Sequence, residues 1–159
     1  MDKALKSLLE EYGESHQNST NKLIHWICVP LIFYSIVALV YSIPNEILRP
    51  LFGDSIWTNW ATITLAVVLI YYARLSLPIA LGMLLFSVAC LFISHYLSSS
   101  LDTPLWLIAL VIFVAAWAGQ FYGHKVEGKK PSFLKDLQFL LIGPAWLMHF
   151  LFDKWGIKY

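Results

Sequence analysis

The sequence predicts an all-α integral membrane protein with four transmembrane helices, an amphipathic N-terminal helix and a Gly-Pro-broken C-terminal helix that is re-entrant or interfacial. Three observations predict it. Hydrophobic residues make up 58% of the chain and charged residues 13%, where roughly 25% charged is usual for soluble domains. Mean hydropathy is accordingly +0.65. Four apolar runs have the length of a bilayer crossing, and basic residues gather on alternate connections between them. The 159 residues suit a single membrane domain over 1–159. A net charge of +1 leaves no basic excess for nucleic acid.

Residues 1–22 form an amphipathic N-terminal segment. Leu5, Leu8, Leu9 and Tyr12 recur at spacings of three and four, with Lys and Glu opposite. This pattern predicts a helix over 2–13, ended by Gly13, lying on the membrane surface or against the bundle. The first twenty residues lack an apolar core, so no cleavable signal peptide is expected and the first run stays as an anchor.

The spans are predicted at about 23–43, 57–73, 77–97 and 104–122. At a rise of ~1.5 Å per residue, such runs match a hydrocarbon core of ~30 Å. Pro44, Pro50, Gly53, Pro78 and the SSSLDTP segment punctuate them. Pro30 falls inside the first span, where neighbouring helices can satisfy the freed carbonyl. The last apolar stretch, 137–152, is shorter and interrupted by Gly143-Pro144. It predicts a broken helix over about 133–152. Cys28 and Cys90 lie singly in apolar runs and read as buried free thiols.

Positive charge orients the chain. With a cytoplasmic N-terminus and four spans, Lys3, Lys6, Lys22, Arg74, Lys125, Lys129, Lys130, Lys135, Lys154 and Lys158 are cytoplasmic, and only Arg49 lies opposite. That bias follows the positive-inside rule. The expected location is a bacterial inner membrane, or the endoplasmic reticulum if the source is eukaryotic. Tyr71, Tyr72 and Arg74 read as an interfacial anchor closing the second span.

The same topology sorts the histidines. His16 and His25, in the stretch HQNSTNKLIHWICVP, and His124, at the end of the fourth span, share the cytoplasmic face. His95 falls near the opposite face. The position of His149 depends on how the last segment folds. Asn21 lies four residues before His25, and Gln120 four before His124, so each histidine has an amide one turn away that is suited to orienting its imidazole. Neutral imidazole is a common ligand for iron, zinc or copper. Hence His16, His25 and His124, with His149 as a fourth candidate, are expected metal ligands. Glu127 is a candidate ligand or general base, or part of a solvated basic loop. Lys129 and Lys130 could hold a carboxylate head group. The sequence contains no GxSxG, P-loop, HExxH or tight HxxxH box.

HQNSTNKLIHWICVP, then WAGQFYGHKVEGKKP, then LLIGPAW together resemble a small membrane family long filed under unknown function. Its characterised fungal member is a 2-hydroxy fatty acid dioxygenase. The resemblance runs from Tyr12 to about Phe152, with three separated motifs in the family's order. It implies an iron(II)-dependent enzyme of fatty acid α-oxidation. Such an enzyme takes a long-chain 2-hydroxy fatty acid and O₂, and releases CO₂ and the acid one carbon shorter. The family's histidine pattern falls on His16, His25 and His124. Near His149 the family often has an acidic residue, so His149 is either a replacement ligand or a bystander. In that setting Asn21, Gln120 and Glu127 are the candidate catalytic residues. Trp26, with Phe121 and Trp146, could line the way in for the tail. The alternatives are another metal-dependent lipid enzyme, such as a zinc hydrolase, and a non-enzymatic membrane transporter or assembly protein.

Overall fold

A computed structural model describes residues 3–128 and 133–159; for residue 3 and for 133–138 it describes the backbone alone. Among the described residues every regular element is a helix: α1 (Lys3–Glu14), α2 (Ser19–Tyr41), α3 (Arg49–Phe52), α4 (Trp60–Leu75), α5 (Leu77–Ser100), α6 (Leu105–Glu127) and α7 (Phe133–Trp155). Three of them, α2, α5 and α6, are long and apolar enough to cross a membrane. The expected second span, α4, is apolar but has only 16 residues, a length of about 24 Å at ~1.5 Å per residue.

α2 is the hub and touches α4, α5, α6 and α7. It starts four residues earlier than its apolar run because Asn18 caps it. The Asn18 side chain accepts from the backbone N–H of Thr20 at 2.9 Å and of Asn21 at 3.4 Å, which satisfies donors that a helix start leaves open. Pro30 sits inside α2 without ending it.

Two glycines of α6 bring it against α2. A Cβ on Gly119 would lie 2.7 Å from the Cys28 Sγ, and one on Gly123 would lie 2.4 Å from Asn21 Oδ1. Their spacing of four puts both on one face, the small-xxx-small arrangement that lets helix backbones approach closely. α6 runs five residues past its predicted end and stops at Gly128, whose φ of 74° is the left-handed turn glycine adopts most easily. Outward faces stay apolar. Leu23, Ile27, Val67, Leu85, Val111 and Val114 are all exposed.

Three sequence expectations are corrected. First, Gly143-Pro144 does not break the last segment; Pro144 lies inside the continuous helix α7. Residues 142–147 are all buried, and packing on this scale holds a proline within a helix that would otherwise break or kink. Gly143 has a separate use, since its missing side chain lets the Tyr12 hydroxyl approach: a Cβ there would stand 3.0 Å from that oxygen. Second, Tyr72 is not an interfacial anchor. It is fully buried, and its hydroxyl donates to the Leu141 carbonyl at 2.6 Å, tying α4 to α7. Third, Gly13 does not end α1 but lies within it. Of the two placements expected for α1, the structure has the one against the bundle. Leu5, Leu9 and Tyr12 are buried, and α1 docks on α7.

The α2–α6 approach can be tested by adding one methyl group. Gly123→Ala is expected to lower stability by about 1–3 kcal/mol, the usual cost of overpacking a close contact. Thermal unfolding in detergent measures it, and an unchanged midpoint would mean the helices do not need this approach.

Candidate metal centre

The three histidines expected to share a face meet at one end of the α2–α6 pair. His25 comes from the second turn of α2, His124 from the last turn of α6, and His16 from the link between α1 and α2. All three are buried. One ring nitrogen of each lies within 4.8 Å of the others. Ring centroids are 4.2 Å apart for His16 and His25, 5.1 Å for His25 and His124, and 5.4 Å for His16 and His124.

Two of the rings are oriented by backbone carbonyls. His16 Nδ1 lies 2.6 Å from the Tyr12 carbonyl oxygen, and His25 Nδ1 lies 3.0 Å from that of Asn21. A carbonyl only accepts, so each Nδ1 carries a proton, and in the neutral imidazole Nε2 then keeps the lone pair. The amide side chains were the expected orienting groups, but Asn21 acts on His25 through its main chain. Gln120 is half-buried on the same stripe of α6 as His124. The stretch from Tyr12 to His16 adds a contact that the histidine spacing does not announce. The two rings stack at 4.2 Å with an interplanar angle of 9°. Trp146 of α7 closes over both, 5.2 Å from Tyr12 and 5.4 Å from His16.

Glu127 stands outside the histidine cluster and clasps two elements together. Its carboxylate accepts from the backbone N–H of Gln17 at 2.8 Å and of Asn18 at 2.9 Å, and from Asn21 Nδ2 at 3.0 Å. A negative group at the start of α2 also meets the positive end of the helix dipole. Asn21, fully buried, donates a second time from Nδ2, to the Ser15 carbonyl at 3.1 Å. The link carrying His16 is therefore held to the end of the helix carrying His124.

The other candidates are placed apart. Nδ1 of His149 hydrogen-bonds the Tyr159 hydroxyl, and its Nε2 lies 3.5 Å from Asp153. Burial, and after it the Asp153 carboxylate, push the Tyr159 hydroxyl up to about 12, so it stays protonated and donates to Asp153 at 3.0 Å. His95 is bonded to Tyr41, 3.1 Å away near the far end of α2. Trp26 is partly exposed and stands 6.2 Å from Phe150. Phe121 is exposed against Trp117 at 5.5 Å. Trp146 is a buried wall of the histidine cluster. Lys129 and Lys130 lie outside the described residues.

The donor set suits a transition metal. Three buried imidazoles converge, and the two whose tautomers the carbonyls fix present unprotonated nitrogens; such a set leaves further coordination positions open. Residues 3–155 match the family described as 2-hydroxy-palmitic acid dioxygenase Mpo1-like. The chain belongs to the Mpo1-like family. Among curated proteins it is similar to the 2-hydroxy-palmitic acid dioxygenase MPO1 of Saccharomyces cerevisiae, with 31% identity over 158 aligned residues that cover 93% of this chain and 80% of the yeast protein. No solved structure matches. The Mpo1-like match takes in α1 through the end of α7, and so includes all three clustered histidines, Glu127 and Trp146.

Removing the clasp should loosen the end of the bundle. Glu127→Ala is expected to cost about 1.5 kcal/mol, the low end for hydrogen bonds to a charged group, because the carboxylate is partly solvated. The measurement is unfolding in the presence of a chelator, which separates it from any chemical role. A loss below about 0.5 kcal/mol, the range of neutral surface changes, would deny the clasp a structural role.

Proposed function

We propose that His16, His25 and His124 hold iron(II), and that the chain is a membrane dioxygenase of long-chain 2-hydroxy fatty acids. The observation that carries this reading is the convergence of three buried imidazoles within 4.8 Å in a chain of the Mpo1-like family. The overall change converts a 2-hydroxy acid and O₂ into CO₂, water and the acid one carbon shorter, and its atoms balance in that form. When bound, iron would supply the O₂ activation that no side chain here can perform.

What the chain itself contributes is position and exclusion of water. The Tyr12 and Asn21 carbonyls fix two imidazoles in the tautomer that offers Nε2. Trp146 and Tyr12 cover His16 with apolar surface, and apolar cover of this kind controls solvent access and dielectric around a site. A 2-hydroxy carboxylate can chelate through two oxygens, which suits a site whose protein ligands leave positions open. Lys129 and Lys130 follow His124 closely enough in sequence to draw a carboxylate towards it.

The reading includes a topology of four spans, formed by α2, α4, α5 and α6, with the N-terminus in the cytoplasm and the histidines at the cytoplasmic face. The apolar outward faces and the ten-to-one distribution of Lys and Arg support it. α7 meets Tyr12, Tyr72 and Gly82 towards the ends of α1, α4 and α5 that this topology puts at the cytoplasmic face, and Val29 midway along α2, as expected of a helix that enters from that face.

Two measurements test the proposal. His25→Ala and His124→Ala are each expected to lose most of the bound iron in metal analysis of purified protein, while His149→Ala keeps it. Wild-type protein loaded anaerobically with iron is expected to consume O₂ when given a long-chain 2-hydroxy acid. Absence of uptake from the fully loaded protein would reject the dioxygenase reading, and unchanged metal in the two variants would reject the site.

A further inference from the structure

The histidine cluster accounts for a head group but not for an alkyl tail, and a cavity elsewhere in the bundle has the right character for one. It lies between α2, α4 and α7, encloses about 70 Å³ and opens between the helices. Phe33, Val68, Leu140 and Leu141 line one end, and Val40, Ala61 and Thr64 the other. Thr64 is the one polar residue in this lining. Apolar cavities of this kind stay dry and take apolar ligands.

One apolar layer lies between the cavity and the cluster. Leu140 and Ile36, both in its lining, belong to one apolar layer with Cys28, Ile32 and Trp117. Cys28 follows His25 by three residues, less than one turn away. Depth fits as well. Phe33 lies eight residues beyond His25 and Val40 fifteen, about 12 and 22 Å along α2 at ~1.5 Å per residue. One acyl chain spans about half of a ~30 Å hydrocarbon core, or ~15 Å. With its head at the histidines, a long tail reaches the near end of the cavity, and each added methylene carries it further in. A short tail stops before it.

We propose that this groove receives the far end of the tail of a long-chain 2-hydroxy acid, and that its side chains set the preference for long substrates. The proposal rests on the activity proposed above. α2 supplies both His25 and the groove wall, so head and tail are measured along one rigid element. Val68 and Thr64 of α4 face the tail from the other side.

The test compares kcat/KM for 2-hydroxyhexadecanoic and 2-hydroxyoctanoic acids in the iron-loaded protein. Val68→Trp is expected to lower the long-to-short ratio at least tenfold by filling the near end, which only the long tail reaches. A ratio taken on one preparation is insensitive to any unfolded fraction. Should Val68→Trp fail to purify, Leu141→Phe narrows the same end and is read in the same way. A ratio within twofold of wild type in the variant tested would overturn the groove while leaving the activity intact. If wild-type protein turns over neither acid, the activity itself fails and the tail site falls with it.

Discussion

The structure depends on how closely α6 can lie against α2. Gly119 and Gly123 leave no room for a Cβ against Cys28 and Asn21, and that lack of bulk sets the separation between the helices. Where side chains of ordinary size intervene, packed helices stand 8–10 Å apart, and at the wider end His25 and His124 could not share a partner. The close approach also lets Glu127 reach across to the first turn of α2. One steric feature, repeated after a turn, thus positions two of the three histidines and the carboxylate that holds the third in place.

Much of this was legible in the sequence, and for identifiable reasons. Apolar runs located the long helices because composition dominates wherever a whole segment is buried or faces lipid. The charge distribution separated His95 from His16, His25 and His124, and the structure places His95 beside Tyr41, well away from the cluster. Reading failed where a residue's partner comes from a distant element. Gly143-Pro144 reads as a break because local propensity says so, yet burial among Tyr12, Val29 and their neighbours overrides it. Tyr72 reads as interfacial from its flanking Tyr71 and Arg74, but its hydroxyl has an acceptor sixty-nine residues away. Gly119 and Gly123 did carry a usable signal in their spacing, one that motif searches aimed at chemistry pass over. The stacking of Tyr12 on His16 had only a spacing of four to announce it.

Two histidine environments in the same chain show what separates a candidate ligand from an ordinary polar residue. His149 sits among Asp153 and Tyr159, hydrogen-bonded and partly exposed, with both ring nitrogens occupied by near neighbours. His16 and His25 instead turn Nδ1 to their own chain and lie ring against ring, 4.2 Å between centroids. Mutual burial of three imidazoles costs desolvation, which the nearby Glu127 carboxylate, acting on His16 and His25, offsets in part.

The tethering of His16 has a consequence for biogenesis. Its ring is stacked on Tyr12, and Tyr12 is packed against Phe139, Gly143 and Trp146 of α7. In order of synthesis α1 leaves the ribosome before every other described helix, and α7 after all of them. His25 and His124 can meet as soon as α6 has been inserted. His16 has its stacking partner in hand throughout, but the surface that fixes both rings is made last. The cluster is therefore walled in only after translation has passed its final helix: a chain stalled before α7 has the Glu127 clasp on the His16 link but not the Phe139 and Trp146 surface against Tyr12 and His16.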